Sequence, residues 1–162
     1  MDVIFLDIDG VLNSECFFVM RARNMRGLRL MDVDDGIDKS VQNRMYCIDP
    51  RNLDVLMELI EETKSKVVIT SIWKFLKSFE GVCKELKNVG VPIIGQTSDN
   101  FFNRGYGIKK YLNNNDVNNF VILDDINFID YDRFLQPNFV KTNFRDGLTE
   151  TEKEKALKIL RK

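Results

Sequence analysis

The sequence predicts an α/β fold in which a mainly parallel β-sheet is covered by helices on both faces. Short β-branched segments alternate along the chain with amphipathic segments of helical period, as in βαβ units with right-handed crossovers. Of the 162 residues, 44% are apolar and 30% are charged, which is a globular balance. A single domain over residues 1–162 would bury roughly 70% of the surface of its unfolded chain.

The first half of the chain contains three predicted elements. "VIFLDIDGVLN" at residues 3–13 predicts a buried strand that ends in a glycine turn. Residues 14–47 show no clean period, and we expect them to be irregular. A helix is predicted next, because Asp49 can cap it and Pro50 suits its first position. "KVVITS" then predicts a second strand.

The second half continues the alternation. Residues 74–90 predict an amphipathic helix with Phe75 on its inward face, and "VPII" predicts the third strand. After a polar loop come a helix, the apolar strand "NFVILDD" and a short strand "NFVKT". The closing helix is expected to begin with a capping box of Thr149 and Glu152.

Composition excludes several classes of protein. The net charge is −1, so no global field recruits a polyanion, and the absence of histidine removes Ser-His-Asp and Cys-His catalysis and most zinc hydrolases. Cys16, Cys47 and Cys83 lack paired spacing, so we expect reduced, mostly buried thiols. We expect a soluble, cytoplasmic protein without membrane partners, because neither a signal peptide nor an apolar run of ~20 residues is present.

Three predicted strands end in polar residues, and ligands of open parallel sheets bind outside the carboxyl ends of the strands. Carboxylates that converge there repel one another unless a cation is bound. With oxygen ligands and no histidine, Mg²⁺ is the expected cofactor. The strand-end residues are Asp7, Asp9, Thr70, Ser71, Asp124 and Asp125.

A carboxylate cluster that holds Mg²⁺ beside hydroxyl groups suits phosphate chemistry. One carboxylate can attack phosphorus to form an aspartyl-phosphate, and a second, two residues later, can protonate the leaving oxygen and then activate water. Each motif alone has a simpler explanation, since D-x-D-G can be a turn and "LDD" a solvated strand end. Their joint occurrence after apolar strands favours a phosphohydrolase site.

These motifs resemble those of the haloacid dehalogenase (HAD) superfamily of Mg²⁺-dependent phosphohydrolases. "DIDGV", "VVITS" and "VILDD" are similar to its first, second and fourth motifs. The resemblance implies a Rossmann-like three-layer α/β/α sandwich, with Asp7 as nucleophile and Asp9 as general acid/base. It further implies Thr70 as a phosphate ligand. The implied metal ligands are Asp7, Asp9 through its carbonyl, Asp124 and Asp125.

A second resemblance covers nearly the whole chain. "VIFLDIDGVLNS", "KVVITSIWK", "RGYGIKKYL", "FVILDD" and "VKTNFRDGLT" resemble the HAD domain of Swiss Army Knife RNA repair proteins, which implies a phosphatase for RNA or DNA ends. The family has a serine pair where this chain has Thr70 and Ser71, so either can face the phosphate, and we favour Thr70. The basic residue of the third motif is Arg104, at a predicted helix start, or its rival Lys74.

The HAD resemblance implies that residues 14–47 form a small cap-like insert after the first strand, of the kind that selects substrate. It would leave the site open, and the four arginines of "RARNMRGLR" would suit a large phosphorylated substrate such as an RNA or DNA end. The alternative is that these arginines pair with the aspartates of "MDVDDGID" on a solvated surface. The candidate substrate contacts are Gly10, Ser71, Arg21 and Arg23.

Two further hypotheses remain beside an end phosphatase. One is a small-molecule phosphatase or nucleotidase with the same machinery. The other is a catalytically idle HAD scaffold that binds phosphorylated ligands or a protein partner, although retention of every expected carboxylate argues against it. Aromatic side chains near the motifs could stack on bases or belong to the core. They are Trp73, Phe17, Phe18, Phe101 and Phe102.

Overall fold

The computed structural model describes residues 1–98 and 102–162, and Phe101 therefore lies outside the described residues. Five strands form one sheet in the order β3-β2-β1-β4-β5, and every neighbouring pair is parallel. This confirms the predicted parallel sheet. The strands are β1 (Val3–Leu6), β2 (Lys66–Ile69), β3 (Ile93–Gln96), β4 (Phe120–Asp124) and β5 (Phe139–Lys141).

Helices cover both faces of the sheet, which confirms the three-layer Rossmann-like α/β architecture. Along β1 the side chains alternate, with Ile4 and Leu6 in the larger core and Val3 and Phe5 in the smaller one. Helices α2, α3, α4 and α6 contribute to the larger core and α5 to the smaller. The helices are α1 (Glu15–Ala22), α2 (Lys39–Met45), α3 (Pro50–Thr63), α4 (Phe79–Asn88), α5 (Arg104–Asn114) and α6 (Glu150–Leu160).

The caps explain where helices begin. Asp49 accepts a hydrogen bond from the Arg51 N–H at 2.9 Å, and Pro50 is the first residue of α3, as predicted. The predicted capping box of α6 is confirmed only in part. The Thr149 hydroxyl donates to the Glu152 carboxylate, but the Thr149 side chain accepts no hydrogen bond from a backbone N–H. None of the described helices is both long and apolar enough to cross a membrane.

The expectation that residues 14–47 are irregular was wrong, since the segment contains α1 and α2. Ser14 caps α1 and Asp38 caps α2 through their side-chain oxygens. These helices have 8 and 7 residues and bury only one and three side chains, so their period is too short to show in the sequence. Because α2 packs against α4, part of the insert belongs to the core layer, and its role as a cap stays a prediction.

Two burial predictions also need correction. A short 3₁₀ helix, Ile72–Phe75, precedes α4 and changes the phase of the chain, so Trp73 is buried while Phe75 is 61% exposed. The three cysteines are unpaired, as expected, but each is half-buried rather than buried. Of the aromatic candidates, Phe17 is buried as well, whereas Phe102 is exposed.

Candidate active site

The strand order places three strand ends side by side. Strand β1 lies between β2 and β4, and Leu6 is in register with both Ile69 and Leu123. The polar residues that follow therefore lie at one level of the carboxyl edge. The Asp7 N–H donates to the Leu123 carbonyl at 3.0 Å, and the Thr70 N–H donates to the Leu6 carbonyl at 2.8 Å.

Arg104 joins the acidic residues of two strands. Its Nη1 donates to Asp7 Oδ2 at 2.7 Å and also to Asp124 Oδ2, and all three side chains are buried. Burial opposes the guanidinium charge, but the carboxylates of Asp7 and Asp124 outweigh it and raise the pKa of Arg104. The ring of Phe128 lies against the guanidinium, with its centroid 4.5 Å from Cζ. Arg104 thus provides a fixed positive charge beside Asp7.

Asp124 is fully buried and has three donors. Besides Arg104, the Tyr131 hydroxyl donates to Oδ2 at 3.1 Å and the Ile126 N–H to Oδ1 at 2.9 Å. Burial, followed by the negative charge of Asp7, raises the pKa of Asp124 to about 7. Burial and the nearby Asp124 carboxylate also raise the pKa of Tyr131, which keeps its hydroxyl protonated as a donor. Sequence reasoning missed Tyr131, because it lies in a loop outside every motif.

The Asp9 carboxylate is held by two donors. Asn13 Nδ2 donates to Oδ1 at 2.8 Å, and the Trp73 indole N–H donates to Oδ2 at 2.9 Å. Asn13 also accepts the Gly10 N–H at 2.9 Å, and both donors are buried. Arg44 of α2 stacks over the Trp73 ring at 5.2 Å. We call Asn13 and Trp73 the Asp9 clamp. The sequence suggests Trp73 for base stacking or for the core, and its bond to Asp9 is an additional finding.

Gly10 permits a close approach of backbone and carboxylate. Its φ is +69°, and a Cβ at this position would lie 2.6 Å from Asp125 Cγ. The Thr142 hydroxyl donates to the Gly10 carbonyl at 2.7 Å and so fixes the turn. The structure therefore explains Gly10 by backbone geometry, and its contact with substrate stays a prediction.

Thr70 and Ser71 are both buried but differ in their hydrogen bonding. Thr70 Oγ1 has no hydrogen-bond partner among the described residues, which is uncommon for a buried hydroxyl. Ser71 Oγ accepts the Trp73 N–H at 3.3 Å and caps the 3₁₀ helix. The rival basic residue Lys74 donates from Nζ to Thr97 Oγ1 at 3.0 Å. These contacts favour Thr70 over Ser71, and Arg104 over Lys74, as neighbours of a phosphate.

The carboxylates suit a hard divalent cation. Oxygens of Asp7, Asp124 and Asp125 lie within 4.8 Å of one another. Burial and the charge of Asp7 also raise the pKa of Asp125. Three carboxyl groups of the cluster face the single guanidinium of Arg104, so their ionised forms carry more negative charge than Arg104 offsets. An all-oxygen set with excess negative charge fits Mg²⁺. The Asp9 side chain lies outside this cluster, which is consistent with a contribution from its carbonyl only.

The insert arginines do not reach the carboxylates through any described contact. Arg21 lies over the Phe17 ring at 6.0 Å and donates to Cys47 Sγ at 3.7 Å. Arg23 is exposed in a surface groove of about 750 Å³. Arg29 pairs with Asp54, and in the described part of the chain no insert arginine pairs with an aspartate of "MDVDDGID". Both predicted roles of the arginines therefore lack support here.

A five-stranded parallel sheet, with Asp7 after β1 and Asp124 at the end of β4 meeting around one arginine, is the arrangement expected of a protein of the HAD superfamily. The family model described as the HAD domain in Swiss Army Knife RNA repair proteins matches residues 3–152, and the chain belongs to this family. No curated protein and no solved structure matches the chain. The family match confirms the resemblance found in the motifs.

Proposed function

We propose that this protein is a Mg²⁺-dependent phosphomonoesterase that forms an aspartyl-phosphate on Asp7 and acts on phosphorylated ends of RNA or DNA. The observation that carries the proposal is the buried group of Asp7, Arg104 and Asp124, with Asp125 beside it. Membership of a family of HAD domains from RNA repair proteins supports the substrate class.

Asp7 is oriented for attack on phosphorus. The Ile8 N–H holds Oδ1 at 2.7 Å and Arg104 holds Oδ2, and each oxygen keeps a further lone pair. The carboxylate attacks phosphorus, the bond to the leaving oxygen breaks, and that oxygen takes a proton from Asp9. Water then gives a proton to Asp9 and attacks phosphorus, which releases inorganic phosphate and restores the Asp7 carboxylate.

Other side chains match the phosphoryl group. Arg104 offsets its negative charge, and the unpartnered Thr70 hydroxyl donates to one of its oxygens. Asp7, Asp124 and Asp125, with the Asp9 carbonyl, would hold Mg²⁺. When bound, the ion would offset negative charge on the phosphoryl oxygens. The Asp9 clamp keeps the acid/base carboxylate in one orientation throughout.

The test is phosphate release from oligonucleotides phosphorylated at the 3′ or the 5′ end, from a mononucleotide and from an aryl phosphate, each with Mg²⁺ and with EDTA. We expect metal-dependent turnover that is strongest on one oligonucleotide end. Turnover on small esters alone would reject the nucleic-acid substrate and leave a small-molecule phosphatase. No release from any substrate by folded protein would favour the idle scaffold.

The covalent role of Asp7 has its own test. Asp7→Asn should abolish turnover, because the amide is a poor nucleophile, while circular dichroism shows an unchanged fold. Asp54→Asn is the matched control, since Asp54 is an exposed aspartate that pairs with Arg29. Substantial turnover by Asp7→Asn would contradict an aspartyl-phosphate on Asp7.

A further inference from the structure

A surface groove of about 760 Å³ follows α4 away from the carboxyl edge of the sheet; we call it the α4 groove. One end lies at Lys74, after β2, and Gln96, the last residue of β3, so it begins at the edge where Asp7 lies. The other end lies at Lys87, in the last turn of α4. The groove thus begins at the same edge of the sheet as the candidate active site.

The groove is strongly basic although the whole chain has a net charge of −1. Four lysines and one glutamate, Glu80, line it. Lys77, Lys84 and Lys87 are exposed, and no carboxylate among the described residues pairs with any of the three. Some exposed lysines of other helices do have such a partner, for example Lys155 of α6, which pairs with Glu152. An unneutralised row of ammonium groups attracts a polyanion.

An exposed aromatic ring lies beside Lys74, at one end of the groove. Phe75 is 61% exposed, and the Lys74 ammonium lies 5.4 Å from its ring centroid. Exposure of this apolar ring to water is unfavourable in the free protein. Lysines combined with an exposed aromatic ring are the features with which proteins bind single-stranded nucleic acid, through phosphate contacts and base stacking.

We propose that the α4 groove binds a single-stranded polynucleotide, with phosphates on Lys77, Lys84 and Lys87 and a base on Phe75, so that its phosphorylated end reaches Asp7. This rests on the proposed function and names the surface that holds the substrate. In this proposal the α4 groove, rather than the arginines of the insert, binds the polynucleotide. Charge complementarity suits any polyanion, but the exposed ring of Phe75 and the shared edge of the sheet favour this occupant over an acidic protein.

The test compares two triple variants with the same loss of charge. Lys77→Gln, Lys84→Gln and Lys87→Gln remove three of the four lysine charges of the groove, and Lys110→Gln, Lys158→Gln and Lys162→Gln are the control on other exposed surfaces. Filter binding of a labelled, single-stranded oligonucleotide is measured over a range of salt concentrations. At 0.1 M salt we expect the groove variant to lose roughly 10–100-fold in affinity, and its salt slope to fall by about 2. The control should keep both.

Phe75→Ser tests stacking separately. We expect a loss of about fivefold or more in affinity with an unchanged salt slope, because stacking does not release counterions. Wild-type affinity in the groove triple variant, or equal losses in both triple variants, would overturn the proposal. So would competition by poly-glutamate as effective as that by unlabelled oligonucleotide.

Turnover of an aryl phosphate separates this inference from the proposed function, since a small ester does not reach the groove. Both triple variants should hydrolyse it at the wild-type rate. If the protein hydrolyses the ester but binds the oligonucleotide equally well without the groove lysines, the groove proposal is rejected and the phosphatase is retained. Groove-dependent binding without any phosphate release would reject the phosphatase and retain the binding surface.

Discussion

Replacement of Arg104 by methionine should destabilise the protein strongly. The substitution removes a buried cation from Asp7 and Asp124, whose side chains are 5% and 0% exposed, so solvent screens little of the lost interaction. Removal of one partner from a buried ion pair costs about 3–5 kcal/mol, because the remaining charges are left uncompensated. We expect this loss in the free energy of unfolding, measured by urea denaturation followed by circular dichroism in EDTA.

The matched control is Arg29→Met, since the Arg29–Asp54 pair has side chains that are 61% and 59% exposed. Its expected cost is about 0–1 kcal/mol. Addition of Mg²⁺ should stabilise Arg104→Met more than the wild type, because the positive charge of the guanidinium no longer repels the cation. A cost at Arg104 no larger than that at Arg29 would refute the reasoning.

Three further predictions concern single residues. Trp73→Phe removes the indole N–H that donates to the Asp9 side chain and should lower kcat on an aryl phosphate by about tenfold or more with little change in KM. An unchanged kcat would contradict the clamp. Gly10→Ala places a Cβ 2.6 Å from Asp125 Cγ, at a left-handed φ that costs roughly 1–2 kcal/mol. Because Asp125 must then move, half-maximal activity should require a higher Mg²⁺ concentration. An unchanged dependence of activity on Mg²⁺ would count against Asp125 as a ligand. Burial raises the pKa of Cys83 to about 11, so iodoacetamide at pH 8 should modify this thiol about 100-fold more slowly in the native protein than in urea. The rate in the native protein should rise as the pH approaches about 11. Mass spectrometry of the Cys83 peptide measures both rates, and equal rates would argue against burial as the cause.

The sheet was predictable because its strands have strong local signals. Parallel strands buried on both faces are continuous apolar runs, and each run here is followed by a polar residue or a turn. Helices α1 and α2 could not be predicted in the same way, since each buries at most three side chains and therefore has little periodicity. Phe75 was misplaced because a 3₁₀ helix between β2 and α4 changes the phase of the pattern, which the sequence does not signal.

The sequence pattern was less informative about the residues that hold the carboxylates of the site in place. Asp7 and Asp124 follow strands, so topology alone brings them to one edge. Tyr131 and Asn13 contact carboxylates through loop geometry that depends on the finished fold. The choice between Arg104 and Lys74 also depended on tertiary structure, which places Arg104 in contact with both Asp7 and Asp124.

The Asp9 clamp contains an intrinsic fluorescent probe, the indole of Trp73. Trp73 is the only tryptophan in the chain, so all indole emission comes from the residue bonded to the acid/base carboxylate. A change in the charge or position of Asp9 will alter the electric field at this indole. Stopped-flow emission could therefore time ligand arrival and proton transfer at Asp9 in the unmodified protein, without an added dye.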